Sequence, residues 1–143
     1  MTYSDDAIRR RLDSKNPDAR RVAAVMIGKA RHYDYVEDLT RLLIHDIDTD
    51  VRAMAAFALD LLGSVDAVPA LVEALYDHSF DVRSNAGWAL AHIAKRVLPQ
   101  LVIPDLIDVL QDEEHPRAQQ MAYLVLSRIP DDTARDASEG YLD

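Results

Sequence analysis

Apolar residues along this chain recur three and four positions apart in short runs, and that period predicts helices from end to end. Four segments align on an arginine: Asp18-Ala19-Arg20, Asp50-Val51-Arg52, Asp81-Val82-Arg83 and His115-Pro116-Arg117, with spacings of 32, 31 and 34 residues. Three and four residues after each arginine stand Ala23-Ala24, Ala55-Ala56, Ala86-Gly87 and Gln120-Met121. Seven residues after come Ile27, Leu59, Leu90 and Leu124, and ten after come Ala30, Leu62, Ile93 and Ser127. These positions share one face of a helix, and the small pairs allow a neighbouring helix to approach closely. The last copy is the most degenerate, as a terminal repeat with a water-facing side should be.

A second helix precedes each arginine helix, with apolar faces at Leu39-Leu42-Leu43, Leu71-Leu75 and Leu106-Ile107-Leu110. Pro69 and Pro104 fit first turns, where the missing N–H costs nothing. Asn16-Pro17 reads as an N-cap and first helical residue, and Gly63 as a helix stop. The expected pairs are 4–13 with 17–30, 34–45 with 50–62, 66–76 with 81–97, and 100–111 with 116–129, with boundaries good to about 2–4 residues. The third junction, AKRVLPQLVIPDL, is longer than the others, so either the helix overruns or a loop bulges there. Residues 130–143, PDDTARDASEGYLD, read as a frayed acidic tail.

Composition narrows the function more than the fold. The chain has 143 residues and no cysteine, which removes thiolate metal sites, disulfides and a cysteine nucleophile. Its start, MTYSDDAIRRRLD, is charged and unlike a signal peptide, and no apolar run is long enough for a membrane helix, so a cytoplasmic protein is expected. A net charge of −9 argues against nucleic acid, which demands clustered cations. The charge is uneven, since residues 1–41 hold nine of the sixteen Lys and Arg.

The run from Asp48 to Leu75 (D-x-D-V-R-x-x-A-x-x-A-L-x-x-L-G…A-V-P-A-L-V-x-A-L) resembles the HEAT-like repeats first named for phycobilisome lyases. The resemblance covers about residues 5–129 and implies an all-α, right-handed α-solenoid of four helix pairs, an armadillo-like superhelix. It divides the chain into a repeat domain at 1–130, with repeats near 4–31, 32–63, 64–97 and 98–129, followed by the tail at 131–143. It also implies a structural ladder of turn aspartates and arginines, carried here by Asp46 with Arg52 and Asp77 with Arg83. The outer repeats have Ser14 and Gln111 at the aspartate's place. Scaffolds, lyase subunits, hydroxylases and DNA glycosylases share such repeats, so the resemblance assigns no activity.

Candidate chemistry is sparse. His45-Asp46, Asp77-His78 and Glu114-His115 pair an imidazole with a carboxylate, but all three fall in expected turns, where such pairs are usually solvated. HEAT-type iron hydroxylases carry His-Glu pairs just after the position of the arginine. Here those places hold Arg21-Val22, Ala53-Met54, Ser84-Asn85 and Ala118-Gln119, so no metal and no cofactor is expected, and catalysis is the weaker expectation.

In HEAT-like arrays the arginine helix lines the concave side. The outward positions then collect Arg21, Val22, Val25, Lys29, Met54, Phe57, Leu61, Asn85, Trp88, His92 and Gln119 into a groove. An exposed stripe this apolar marks an interaction site, while a tightly curved array would bury it, and a small-molecule pocket is a third reading. The leading expectation is a non-enzymatic scaffold or adaptor that binds a protein or peptide in this groove. The alternative that the resemblance carries is bilin handling, as a lyase component or a chromophore-removal factor, with Phe57 and Trp88 stacking the tetrapyrrole and Arg21 or Lys29 meeting a propionate.

Overall fold

A computed structural model describes residues 4–143, so the first three residues of the repeat domain lie outside the described part. Among the described residues nine α-helices follow one another: α1 (Asp5–Leu12), α2 (Pro17–Ala30), α3 (Val36–His45), α4 (Thr49–Leu62), α5 (Val68–Glu73), α6 (Phe80–Arg96), α7 (Ile103–Leu110), α8 (Pro116–Leu126) and α9 (Asp132–Leu142). Each pair packs internally, and α2, α4, α6 and α8 stack on one another in order as a continuous layer. This is an α-solenoid, in which each pair buries its apolar face only against its neighbours.

Local chemistry starts and stops these helices where the pattern demands. Side chains of Ser4, Asn16, Asp48, Ser79 and Asp131 accept from first-turn backbone N–H groups of their helices. Gly63 ends α4 at φ 65°, and Arg31 ends α2 in the same left-handed region at φ 55°. A non-glycine residue there is strained, and Arg31 offsets the strain by donating Nη1 to the carbonyl of Leu61, 2.8 Å away at the end of α4. At the third junction α6 overruns to Arg96, and a 3₁₀ turn at Pro99–Leu101 makes the connection.

The small positions do what their size suggests. Ala23, Ala24, Ala55, Ala56 and Ala86 are fully buried. A Cβ on Gly87 would stand 2.9 Å from a methyl of Val125, and one on Gly28 would stand 3.0 Å from the Cα of Ala58, so α6–α8 and α2–α4 touch nearly backbone to side chain.

Two expectations need correcting. Residues 130–143 do not fray: α9 lies against α8 and α7 and buries Ala134 and Ser138. Its start is set by Asp131, whose Oδ1 accepts from Thr133 N at 2.8 Å and Ala134 N at 3.2 Å. Asp131→Ala should therefore loosen α9 at a cost of about 1 kcal/mol, visible as faster amide exchange confined to 132–142.

The register of α8 is also shifted by one. Its buried positions are Ala118, Met121, Ala122, Val125 and Leu126, while Arg117, Gln120 and Leu124 are exposed. Ala118, not Arg117, occupies the place of Arg20, Arg52 and Arg83. Counting six back from it makes Asp112, not Gln111, the turn aspartate of the last repeat.

Candidate functional site

Two features stand out on this scaffold: the exposed face of the α4–α6–α8 layer, and the row of turns along one edge. None of the eleven expected groove residues belongs to the buried core. Val22, Phe57 and Trp88 are about two-fifths exposed, at 42 %, 41 % and 42 %, and Lys29 is exposed as well. Arg21, Val25, Met54, Leu61, Asn85, His92 and Gln119 are half-buried.

Trp88 forms the ridge between two hollows. One, about 320 Å³, is lined by Phe57, Asp60, Asn85, Trp88 and His92. The other, about 190 Å³ and more apolar, is lined by Phe80, Ser84, Trp88, Met121, Leu124, Val125 and Arg128. Polar neighbours hold the ridge on both sides. The guanidinium of Arg128 sits 4.8 Å from the centre of the Trp88 ring, a cation–π distance. The His92 ring stacks at 6.3 Å, and its Nδ1 lies 2.7 Å from Asp60 Oδ1, which fixes the imidazole. Asn85 Nδ2 donates to the carbonyl of Ala53 at 2.9 Å and so ties α6 to α4.

Other expected groove members lie elsewhere. Gln119 donates to the carbonyl of Leu110 at 2.9 Å and lines a hollow between α7, α8 and α9, on a different side from Trp88. Leu61 packs toward Gly28 of α2. Arg21 pairs with Asp18 at 3.2 Å, and none of Arg21, Val22, Val25 and Lys29 lines either Trp88 hollow. Conversely, Phe80, Leu124 and Arg128 belong to the site and went unseen. The apolar pairs Met121-Ala122 and Val125-Leu126 carry the signal that would have set α8 in its true register.

The turn ladder connects differently from its sequence spacing. Arg20 donates Nε and Nη2 to the two oxygens of Asp46, at 2.7 and 3.0 Å, and Nη1 to the carbonyl of Ser14. Arg52 does the same one repeat on, to Asp77 at 2.9 and 3.3 Å and to the carbonyl of Asp46. Each arginine thus grips its own turn through a carbonyl and the next turn through a carboxylate. Each turn aspartate also accepts from the N–H two residues on: Asp46 from Asp48, Asp77 from Ser79, Asp112 from Glu114.

The third rung is open. Arg83 keeps its own-turn bonds, Nη1 to the carbonyls of Asp77 and His78 at 2.9 and 3.0 Å. Asp112 instead accepts from the Tyr76 hydroxyl at 3.0 Å and faces His115 Nδ1 at 3.0 Å. The bond to His115 above all, and the Tyr76 hydroxyl with it, holds the Asp112 carboxyl below the ordinary carboxylate range, although desolvation pulls the other way. A further tie escaped notice at the first repeat: Asp38, 8 % exposed, takes both Arg9 and Arg41 on one oxygen at 2.8 and 2.9 Å.

Among the described residues no cluster of three His, Asp or Glu side chains is placed to hold a metal ion, and no helix is long and apolar enough to cross a membrane. Elemental analysis of the purified protein should find no stoichiometric iron or zinc, and one metal per chain would contradict the missing His-Glu pairs.

Stacked helix pairs tied by turn arginines define a helical-repeat solenoid protein. A sequence model of HEAT repeats matches residues 6–91, more than half the chain, and the protein belongs to the HEAT-repeat family. No curated protein matches it in sequence. Among solved structures, the complex of CpcE and CpcF of phycocyanin lyase from Nostoc sp. PCC7120 is similar at TM-score 0.64 and 22 % identity, over 99 % of this chain and 65 % of that one. A designed armadillo repeat protein in complex with the peptide (KR)4 is similar at TM-score 0.65 and 20 % identity, over 94 % and 68 %. An engineered protein is similar at TM-score 0.62 and 22 % identity, over 96 % and 68 %. The chain therefore spans about two thirds of each of these neighbours, and at such identities the likeness concerns fold alone.

Proposed function

We propose that the protein is a non-enzymatic binding module that takes a protein or peptide segment across the α4–α6–α8 face, with Trp88 as its anchor. The observation that carries this reading is the state of Trp88: the chain's single tryptophan is 42 % exposed on a ridge between two hollows, held by Arg128 and His92 rather than packed into the core. Tryptophan and arginine are enriched where interfaces concentrate their energy, and a side chain fixed before binding loses less entropy on docking. The two hollows differ in character. The one over Leu124 and Met121 suits an aliphatic or aromatic side chain. The one beside Asp60, Asn85 and His92 suits a polar group or peptide backbone. Trp88 emission reports the docking directly: it should be quenched by acrylamide in the free protein and shielded when a segment recovered by affinity capture is added.

The bilin reading is served less well by the geometry. The hollow shared by Phe57 and Trp88 has Asp60 in its wall and no lysine or arginine, whereas propionates call for cations. A saturable absorbance shift on adding bilin, lost in Trp88→Ala, would favour it over the peptide reading.

A further inference from the structure

The open third rung of the turn ladder leaves a cavity of about 310 Å³ between the turns of the third and fourth repeats. Arg83 lines it and is only 7 % exposed. Its Nη1 is spent on two carbonyls, while no carboxylate of the described residues lies within ion-pair distance of Nε or Nη2. Neither nitrogen is sealed away from solvent, because the fully enclosed side-chain polar atoms without a partner, among the described residues, reduce to His32 Nε2.

We propose that this notch is a carboxylate-binding site, filled by an aspartate or glutamate side chain of a partner that stands in for the diverted Asp112. The molecule supplies its own template. In the two closed rungs the same two atoms, Nε and Nη2, each hold one oxygen of a carboxylate, at 2.7 and 3.0 Å in one and 2.9 and 3.3 Å in the other. A planar, two-oxygen anion is the ligand this fork fits best. Arg117 adds a second cation to the lining. Of the lining carboxylates, Asp77 is engaged by Arg52, and Glu114 makes no ion pair among the described residues. The net charge of −9 does not decide the outcome at contact distance, since distant exposed charges are screened beyond about 8–10 Å.

The source of the carboxylate follows from what lies beside the notch. Phe80, 62 % exposed, has the Arg83 guanidinium 5.8 Å from its ring centre and also lines the hollow under Trp88. A segment lying along that hollow passes Phe80 and reaches the notch. Only this choice of source rests on the groove reading; the Arg83 site itself stands without it.

Arginine Nε–H signals in nitrogen-15 spectra, assigned with Arg20→Lys, Arg52→Lys and Arg83→Lys, test the site in the whole chain. The probe is N-acetylglutamate α-amide, compared at constant ionic strength with its glutamine counterpart and with inorganic phosphate. The Arg83 signal should move saturably toward those of Arg20 and Arg52 with the glutamate probe alone, while those two signals stay still. An Arg83 signal already among the other two before any addition would mean that Asp112 or Glu114 closes the rung, and would overturn the proposal. So would an equal response to the glutamine probe, a stronger response to phosphate, or a shift shared by all three arginines. The thermal midpoint gives a second reading: the glutamate probe should raise it in the wild type and leave it unchanged in Arg83→Lys, and an equal rise in both would count against the site.

Discussion

Arg20→Ala should lower stability by about 3 kcal/mol, more than any other single loss in the turn ladder. The reason lies with its partner. The Asp46 side chain is 4 % exposed, and Arg20 supplies both of its charge-assisted bonds. Without the guanidinium, that carboxylate keeps the backbone N–H of Asp48 and little else while remaining shut off from water. The same bond to Asp46 raises the pKa of Arg20 further above its ordinary value.

Arg52→Ala should cost about 1–3 kcal/mol, because Asp77 is 13 % exposed and hydrates more easily. Arg83→Ala should cost least, about 1–2 kcal/mol, since it strands two carbonyls and no carboxylate. Urea melts of the three variants give the order directly. A double variant lacking both Arg20 and Asp46 should fall short of the summed single losses, as coupled partners do. Equal losses for all three arginines would mean that the third rung is closed in solution.

The repeat was readable because its period is dictated by packing. Ala55-Ala56 and Ala86-Gly87 must be small where helices touch, and Leu59 and Leu90 must be large where they fill the core, so both kinds of position recur with the helices. The ladder was readable in its residues but not in its connections. Asp46 and Arg52 are six apart in sequence, yet Asp46 gives Arg52 only its carbonyl, and the arginine on its carboxylate is Arg20, 26 residues earlier. An arginine long enough to span neighbouring turns makes sequence distance a poor guide to partnership.

Degeneracy hid the rest. Arg117 imitates the ladder arginines in spacing and so masks the register that the pairs Met121-Ala122 and Val125-Leu126 carry and the burial of Ala118 shows. That one-residue slip concealed Asp112 as a turn aspartate and Leu124 and Arg128 as neighbours of Trp88. Helix α9 was concealed differently. Its sequence is short, acidic and broken by Gly140, and intrinsic propensity gives it little reason to be helical. It forms because Ala134, Ala137 and Ser138 find a surface on α7 and α8, and their three- and four-residue spacing is carried by residues too small to stand out in an acidic stretch.

Trp88→Ala should weaken partner binding by about 2 kcal/mol or more, roughly thirtyfold in Kd, while leaving the fold largely intact. The two halves of this expectation rest on the same geometry. At 42 % exposure the indole already meets water on one side, so its removal forfeits less than the roughly 3–5 kcal/mol that a fully buried aromatic commands. On docking, the remaining exposed surface is covered, and both hollows that the indole separates lose their shared wall if it is cut away. Arg128→Ala is the companion measurement. It removes the cation 4.8 Å from the ring without opening the ridge, so it should cost binding about 0.5–1 kcal/mol, through loss of the cation–π contact and of the indole's fixed orientation. Titrations of captured partner against wild type and both variants, with circular dichroism melts alongside, separate anchoring from folding. A Trp88→Ala protein that binds as wild type does but melts far lower would make the ridge a structural strut, and would move the binding surface away from the α4–α6–α8 face.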